Sequence, residues 1–225
     1  LYNASAAAYG YDPATASSLL RDTGWSEFIS GPRKAISVAG VFGEVFFEVN
    51  YHHLNDAYST MIAQTIAQNL NACGIHVYLF PLSAEELYNV GNGSPVFGRN
   101  FDLVQFPWQI DLQPPCGLYL SHAIPGEDLE LYPYGWGGAN ISGWQNEDYD
   151  RACQSALGAL PGEAVYTEGS QQAQAIFAEQ LPAIPLFTHQ QAVVARPDLC
   201  GLDFDATAGL LWNVEALAYG EYCGE

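Results

Sequence analysis

Asn55-Asp-Ala-Tyr-Ser-Thr-Met-Ile-Ala-Gln-Thr-Ile-Ala-Gln-Asn-Leu-Asn-Ala-Cys-Gly74, followed at once by Ile75-His-Val-Tyr-Leu-Phe80, is the stretch that decides the fold. Asn55 or Asp56 can cap a helix. Ile62, Ile66, Leu70 and Cys73 recur on one helical face, and Gly74 supplies a stop. The six residues after the stop are mostly β-branched and aromatic and read as a strand. Upstream, Val41 to Tyr51 alternates: Val41, Val45, Phe47, Val49 and Tyr51 point one way, and Glu44, Glu48 and Asn50 the other. A strand, a helix and a second strand with short joints predict a βαβ unit, its strands parallel and its crossover right-handed.

Downstream, Ser83 can cap a short helix through Glu85, Glu86, Leu87 and Tyr88, and Gly91-Asn-Gly-Ser-Pro95 is a loop. Phe101-Asp-Leu-Val-Gln-Phe-Pro-Trp-Gln-Ile-Asp111-Leu-Gln-Pro-Pro115 then adds a strand, 101–106, to the same sheet. Trp108 and Asp111 stand where this strand ends and a proline-bound loop begins. Ligand sites of α/β folds lie outside the carboxyl ends of strands. An indole to stack on and a carboxylate to pair with a cation are useful recognition groups there. An ordinary strand end would use the same residues as a half-buried Trp and a loop-capping Asp; the organisation of the rest of the chain favours a site. Residues 112–145 are irregular yet carry Tyr119, Tyr132, Tyr134, Trp136 and Trp144. So long a stretch without regular structure signals a binding role or disorder, and the aromatics argue against disorder.

Towards the start, Tyr11-Asp-Pro-Ala-Thr-Ala-Ser-Ser-Leu-Leu-Arg-Asp-Thr-Gly-Trp25 predicts a helix with Asp12 as cap, Pro13 at its first position and Gly24 as stop. Ala16, Leu19, Leu20 and Thr23 share a face, and Trp25 folds back beneath it. Ser30 to Arg33 is a turn. Towards the end, Asn146 begins a helix through Tyr149, Ala152, Cys153 and Leu157. A second helix runs over 164–180 with Tyr166, Ala173, Ile176 and Phe177 apolar, and Leu181-Pro-Ala-Ile-Pro breaks it. Gln191 to Ala195 reads as a last strand. The tail from Arg196, with Phe204, Leu210, Leu211, Trp212, Val214 and Leu217, is too apolar for a free end and is expected to dock.

The chain has 225 residues, enough for one large domain or two small ones, and 49% of them are hydrophobic, enough for a core. Only 14% are charged, yet the net charge is -19 with six Lys and Arg. So few cations cannot neutralise a phosphate track, which excludes nucleic acid as a partner, and they suit anionic membrane surfaces no better. No apolar run reaches the roughly 20 residues of a membrane span. No signal peptide opens the chain; Leu1-Tyr-Asn-Ala-Ser-Ala-Ala-Ala8 reads as the middle of a longer protein.

The five Cys show no C-x-x-C spacing, so zinc and thioredoxin-like motifs are unsupported. Cys200 and Cys223 flank a loop-rich tail and could bridge in an oxidising compartment. Cys73 and Cys153 fall within helical patterns and read as plain buried thiols. His52 and His53 are adjacent, but alternation puts strand neighbours on opposite faces, so they do not read as a metal pair. His76 reads as structural. No G-x-S-x-G, P-loop, G-x-G-x-x-G or H-E-x-x-H motif occurs, and no cofactor is expected. Glu127, Asp128 and Glu130 beside the aromatic loop keep open an alternative, a glycoside-active enzyme or oligosaccharide-binding domain using residues 119–144. Without a nucleophile, base or metal motif, the chain does not read as an enzyme.

The order of segments resembles bacterial extracellular solute-binding proteins of family 5, the peptide- and nickel-binding receptors of ABC importers. The Tyr11 to Trp25 helix, Ile62 to Val77, Phe101-Asp-Leu through Trp108-x-x-Asp111, Asn140-Ile-Ser-Gly-Trp-Gln-Asn-Glu-x-Tyr-Asp150, and Gln172 through Leu186 follow the family's order over roughly residues 9 to 195. The resemblance implies an α/β, periplasmic-binding-protein type II-like lobe, a mixed sheet with flanking helices. It implies a C-terminal lobe over residues 1–195, a returning tail over 196–225, and an N-terminal lobe of the same receptor outside this sequence. In peptide-binding members the Asp three residues after this Trp pairs with the ligand's α-amino group, which falls here on Asp111. The implied function is capture of an oligopeptide or related small polar solute for a membrane permease. The implied location is extracellular or periplasmic, lipid-anchored in the full-length protein. The chain departs from the family pattern at Pro114-Pro115 and Cys116. The expected ligand-binding residues are Trp108, Asp111, Tyr134 and Trp136.

Overall fold

In a computed structural model, residues 3–108, 115–127, 136–188, 193–205, 208–209 and 211–220 are described. They divide into two compact units. One is built from residues 3–108, 116–127 and 136–182, the other from residue 115 and the described residues beyond 182.

The first unit is assembled around the expected βαβ. Strand β1 (Glu48–Leu54) leads into α2 (Ala57–Ala72), which follows α1 (Pro13–Asp22) in the chain, and then into β2 (His76–Leu82). Asp56 caps α2 by accepting from the Ser59 amide at 2.9 Å. Gly74 ends it at φ +83°, where an added Cβ would strike the Phe28 ring. A short α3 (Ala84–Leu87) opens with a capping box between Ser83 and Glu86. It precedes β3 (Leu103–Gln105). The three strands lie in the order β2-β1-β3, all parallel.

Alternation along the strands divides the core. Tyr51 and Val77 pack on Ala63 and Ala67 of α2, with Val49, Ile66, Leu70, Leu79 and Leu103 around them. The expected stripe of α2 is therefore present, but the small alanines are its most buried members because they let the helix approach the sheet. On the opposite face, at the carboxyl ends of the strands, Leu87, Val96 and Ile141 form a second cluster with Leu54, Leu82, Val104 and Phe106. A third cluster lies between α4 (Glu147–Leu157) and α5 (Ala164–Gln180), where Tyr149, Ala152, Cys153 and Ala173 meet Leu120 and Ala123. Gly169 permits the close crossing: its Cβ would lie 2.7 Å from the Ala152 carbonyl.

Several expectations are corrected. The first sheet strand starts at Glu48, not Val41. Val45 and Phe47 instead bond back to Ala35 and Arg33 across a turn containing Gly40 and Gly43, so one alternating run serves two pairings. Phe101 to Phe106 forms a strand only over Leu103–Gln105. On α1, Leu19 and Thr23 are exposed, while Ser17 faces inward to accept from buried Arg33 at 2.7 Å. Trp25 stacks on Phe47, with ring centroids 4.3 Å apart. Cys153 is not a thiol: it forms a disulfide with Cys116, while Cys73 is free.

The second unit contains an antiparallel pair, β4 (Leu199–Cys200) with β5 (Ala218–Tyr219). Arg196 pairs with Asp198 at 2.7 Å. Phe204, Leu211, Trp212 and Val214 are exposed. Cys200 is disulfide-bonded, and its expected partner Cys223 lies outside the described residues. Of the strand expected over 191–195, residues 191 and 192 lie outside the described residues, and 193–195 form no strand. Among the described residues no helix is long and apolar enough to cross a membrane.

Candidate ligand-binding site

The carboxyl ends of the parallel strands carry an aromatic assembly. Phe106 leaves β3 and meets Tyr88, just beyond α3, edge-on at 6.0 Å and Trp108 at 5.5 Å. Phe97 meets the other side of the assembly, 6.5 Å from Trp108. The indole Nε1 of Trp136 donates to the Phe97 carbonyl at 3.0 Å. Two half-buried tryptophans far apart in sequence are thus joined through one residue, Phe97. The Tyr88 hydroxyl donates to the Pro107 carbonyl at 3.1 Å, fixing the chain just before Trp108. Rings held edge-to-face and half exposed give a rigid stacking surface with little rotamer entropy left to lose on binding.

The loop bearing Trp136 is held at several points. Cys116, in a 3-10 turn (Cys116–Tyr119), is bonded to Cys153 of α4. The Tyr149 hydroxyl donates to the Cys116 carbonyl at 2.9 Å. Gly126 and Gly137 exchange backbone hydrogen bonds of 3.0 and 3.2 Å. Asn140 is 0% exposed. Its Nδ2 donates to the carbonyls of Tyr119, Leu120 and Trp144, and its Oδ1 accepts from Ser142. A fully satisfied buried amide of this kind fixes the chain on both sides of the loop.

Beneath the site, the Tyr51 hydroxyl donates to Gln105 Oε1 at 2.8 Å, and burial pushes its pKa up to about 12. Burial also raises Tyr88. Neither phenol is a base near neutral pH; both serve as donors. His53 is buried, its Nδ1 2.8 Å from the Leu54 carbonyl, an acceptor that places the proton on Nδ1. His52 faces the other way and stacks on Phe80. Among the described residues no group of three His, Cys, Asp or Glu could hold a metal ion.

Of the expected site residues, Trp108 and Trp136 are brought together, and Asp111 and Tyr134 lie outside the described residues. Tyr119 and Trp144 belong elsewhere, packed on Phe177 and Tyr149 in the α4–α5 cluster. Glu127 is exposed, and Asp128 and Glu130 lie outside the described residues. Sequence reasoning missed Tyr88, Phe97 and Phe106. Phe97 lies between the Gly91–Pro95 loop and the Phe101 strand, and only its being aromatic could have drawn notice.

No family model matches the chain, and no curated protein matches it. Solved structures do. An oligopeptide-binding protein from Thermus thermophilus, complexed with a pentapeptide, aligns with a TM-score of 0.75 at 24% identity, over 97% of this chain and 37% of that one. NikZ from Campylobacter jejuni, in complex with Ni(L-His), aligns at 0.63 and 17% identity, over 93% and 39%. The oligopeptide-binding protein AppA from Bacillus subtilis, in complex with a nonapeptide, aligns at 0.63 and 16% identity, over 98% and 40%. The fold is therefore periplasmic-binding-protein type II-like, as the sequence resemblance implied. The chain spans about two fifths of the length of these structures, between 37% and 40%.

Proposed function

We propose that this chain is the ligand-capture lobe of an extracellular or periplasmic, lipid-anchored receptor of an ABC importer. It captures an oligopeptide or related small polar solute without making or breaking bonds. The observation that carries the reading is the pairing of Trp108 and Trp136 through Phe97 at the carboxyl ends of a parallel sheet, where α/β folds place their ligands. The oligopeptide-binding and Ni(L-His)-bound proteins that share the fold support it. Trp108 and Trp136 present apolar faces to the ligand, Asp111 pairs with its amino group, and Tyr134 adds a further ring. A second lobe of the same receptor closes over the ligand by a hinge, and the closed form docks on the permease.

Calorimetry of the receptor with di- to pentapeptides tests this. Asp111→Ala is expected to weaken a free-amine peptide by about 1.5–3 kcal/mol, the value of a hydrogen bond to a charged group. N-acetylation of the peptide is expected to abolish the difference. Equal affinities of wild type and variant for the free-amine peptide would remove Asp111 from the site.

A further inference from the structure

Asn92 is the chain's only asparagine followed by glycine. Asn92 and Gly93 are both exposed, in a turn closed by the Ser94 amide on the Gly91 carbonyl at 3.1 Å. A Cβ at Gly93 would meet nothing, so the space beside its amide is open. Among the described residues, neither the Gly93 amide nor the Asn92 side chain meets a hydrogen-bond partner. The Asn92 main-chain carbonyl is engaged: Asn100 Nδ2 donates to it at 2.7 Å. That oxygen gathers negative charge when the Gly93 amide gives up its proton, so the donor stands where charge develops.

We infer that Asn92–Gly93 is a site of spontaneous modification, at which the asparagine converts to isoaspartate and aspartate. The deprotonated Gly93 nitrogen attacks Asn92 Cγ. An N–Cγ bond forms, the Cγ–Nδ2 bond breaks, and Nδ2 leaves as ammonia, with a cyclic imide left in the chain. Water then opens the ring. Opening between the nitrogen and Cγ gives aspartate. Opening between the nitrogen and the main-chain carbonyl gives isoaspartate, whose main chain runs through the former side chain and is one methylene longer. Glycine suits the step, because it has no Cβ to block the approach and leaves the backbone free to rotate. The nitrogen reaches Cγ when the turn opens, which costs little in an exposed loop.

The turn is tied to the aromatic assembly. Asn100 Nδ2 donates to the Asn92 and Ser94 carbonyls, and Ser94 Oγ accepts from the Gly98 amide at 2.8 Å. These bonds bracket Val96, which is 0% exposed, and Phe97, whose carbonyl takes the Trp136 indole. In isoaspartate the Asn92 carbonyl becomes a free carboxylate off the main chain, so the bond from Asn100 no longer fixes the backbone. The modification thus loosens the Phe97–Trp136 junction and adds a negative charge to a chain already at -19. The chemistry holds whether or not the assembly takes a ligand.

The test ages the folded chain and the guanidinium-unfolded chain side by side at mildly alkaline pH. Chymotrypsin cuts after Tyr88 and Phe97, and mass spectrometry reads the 89–97 peptide, with electron-transfer fragmentation to tell isoaspartate from aspartate. The folded chain is expected to convert at Asn92 on the time scale of the unfolded chain, with isoaspartate in excess. Asn89, whose Oδ1 accepts from the Val90 amide, should stay intact in the same peptide. Gly93→Ala should lose most of the conversion. An intact Asn92 in the folded chain when the unfolded chain has converted, or conversion in neither, overturns the inference. For the consequence, the 15N-labelled isoaspartate form is separated by its added charge, and its Trp136 indole N–H signal is assigned by its loss in Trp136→Phe. The signal is expected to move in the isoaspartate form and not in Asn92→Asp, which adds the charge without lengthening the chain. An unmoved signal, or equal movement in Asn92→Asp, overturns the coupling to Phe97.

Discussion

The indole of Trp136 donates to the main-chain carbonyl of Phe97 at 3.0 Å, and the ring of Phe97 meets Trp108 edge-on. This bond joins the aromatic loop to the end of the sheet. Trp136→Phe keeps a ring in place but removes the donor, leaving a half-buried carbonyl without that partner. The expected cost is about 1 kcal/mol in urea unfolding, with an unchanged slope. An unchanged midpoint would show that the bond does not hold the loop.

The Cys116–Cys153 disulfide closes a sequence separation of 37 residues and fastens the base of the same loop to α4. Cys153 is 0% exposed and belongs to the α4–α5 cluster. Its loss, by reduction or in the Cys116→Ala/Cys153→Ala pair, is expected to cost about 2–5 kcal/mol. Urea midpoints with and without a dithiol reductant read this directly; coincident midpoints would contradict it.

His52 stacks on Phe80 at 5.1 Å, and its Nδ1 is buried with no hydrogen-bond partner. Burial lowers its pKa below the ordinary 6.5; the Asp102 carboxylate opposes the shift, and His53 adds to it. Below 6.5 the unfolded chain takes up the proton while the folded chain resists it. Stability is therefore full above that value and is lost as pH falls through the lower folded pKa. His52→Gln should flatten the fall in urea midpoint between about pH 7 and about pH 5 relative to wild type. Identical slopes would show that His52 titrates no differently when folded.

What was legible in the sequence was what neighbours in sequence decide. Asp56, the isoleucine stripe and Gly74 fix α2 locally, and the parallel pairing follows from its length and short joints. The start of β1 was misread because Val45 and Phe47 continue the alternation of Val49 and Tyr51 while bonding to a different partner segment. The helical phase of Cys153 predicted its burial, but not the pairing with Cys116, which depends on where a loop returns in space. Trp108 was found from its place after a strand. Its companions Phe97 and Phe106, and the closeness of Trp136, depend on loops whose paths are set by Asn140 and the disulfide rather than by any periodic pattern.

Hydrogen exchange of the receptor, with and without a saturating pentapeptide, tests the central claim most directly, because it reports where a ligand sits. The account predicts new protection concentrated at residues 97–108 and 136–143, the two segments joined by the Trp136–Phe97 bond. Binding with no added protection in these segments, or protection confined to the α4–α5 face, would contradict it.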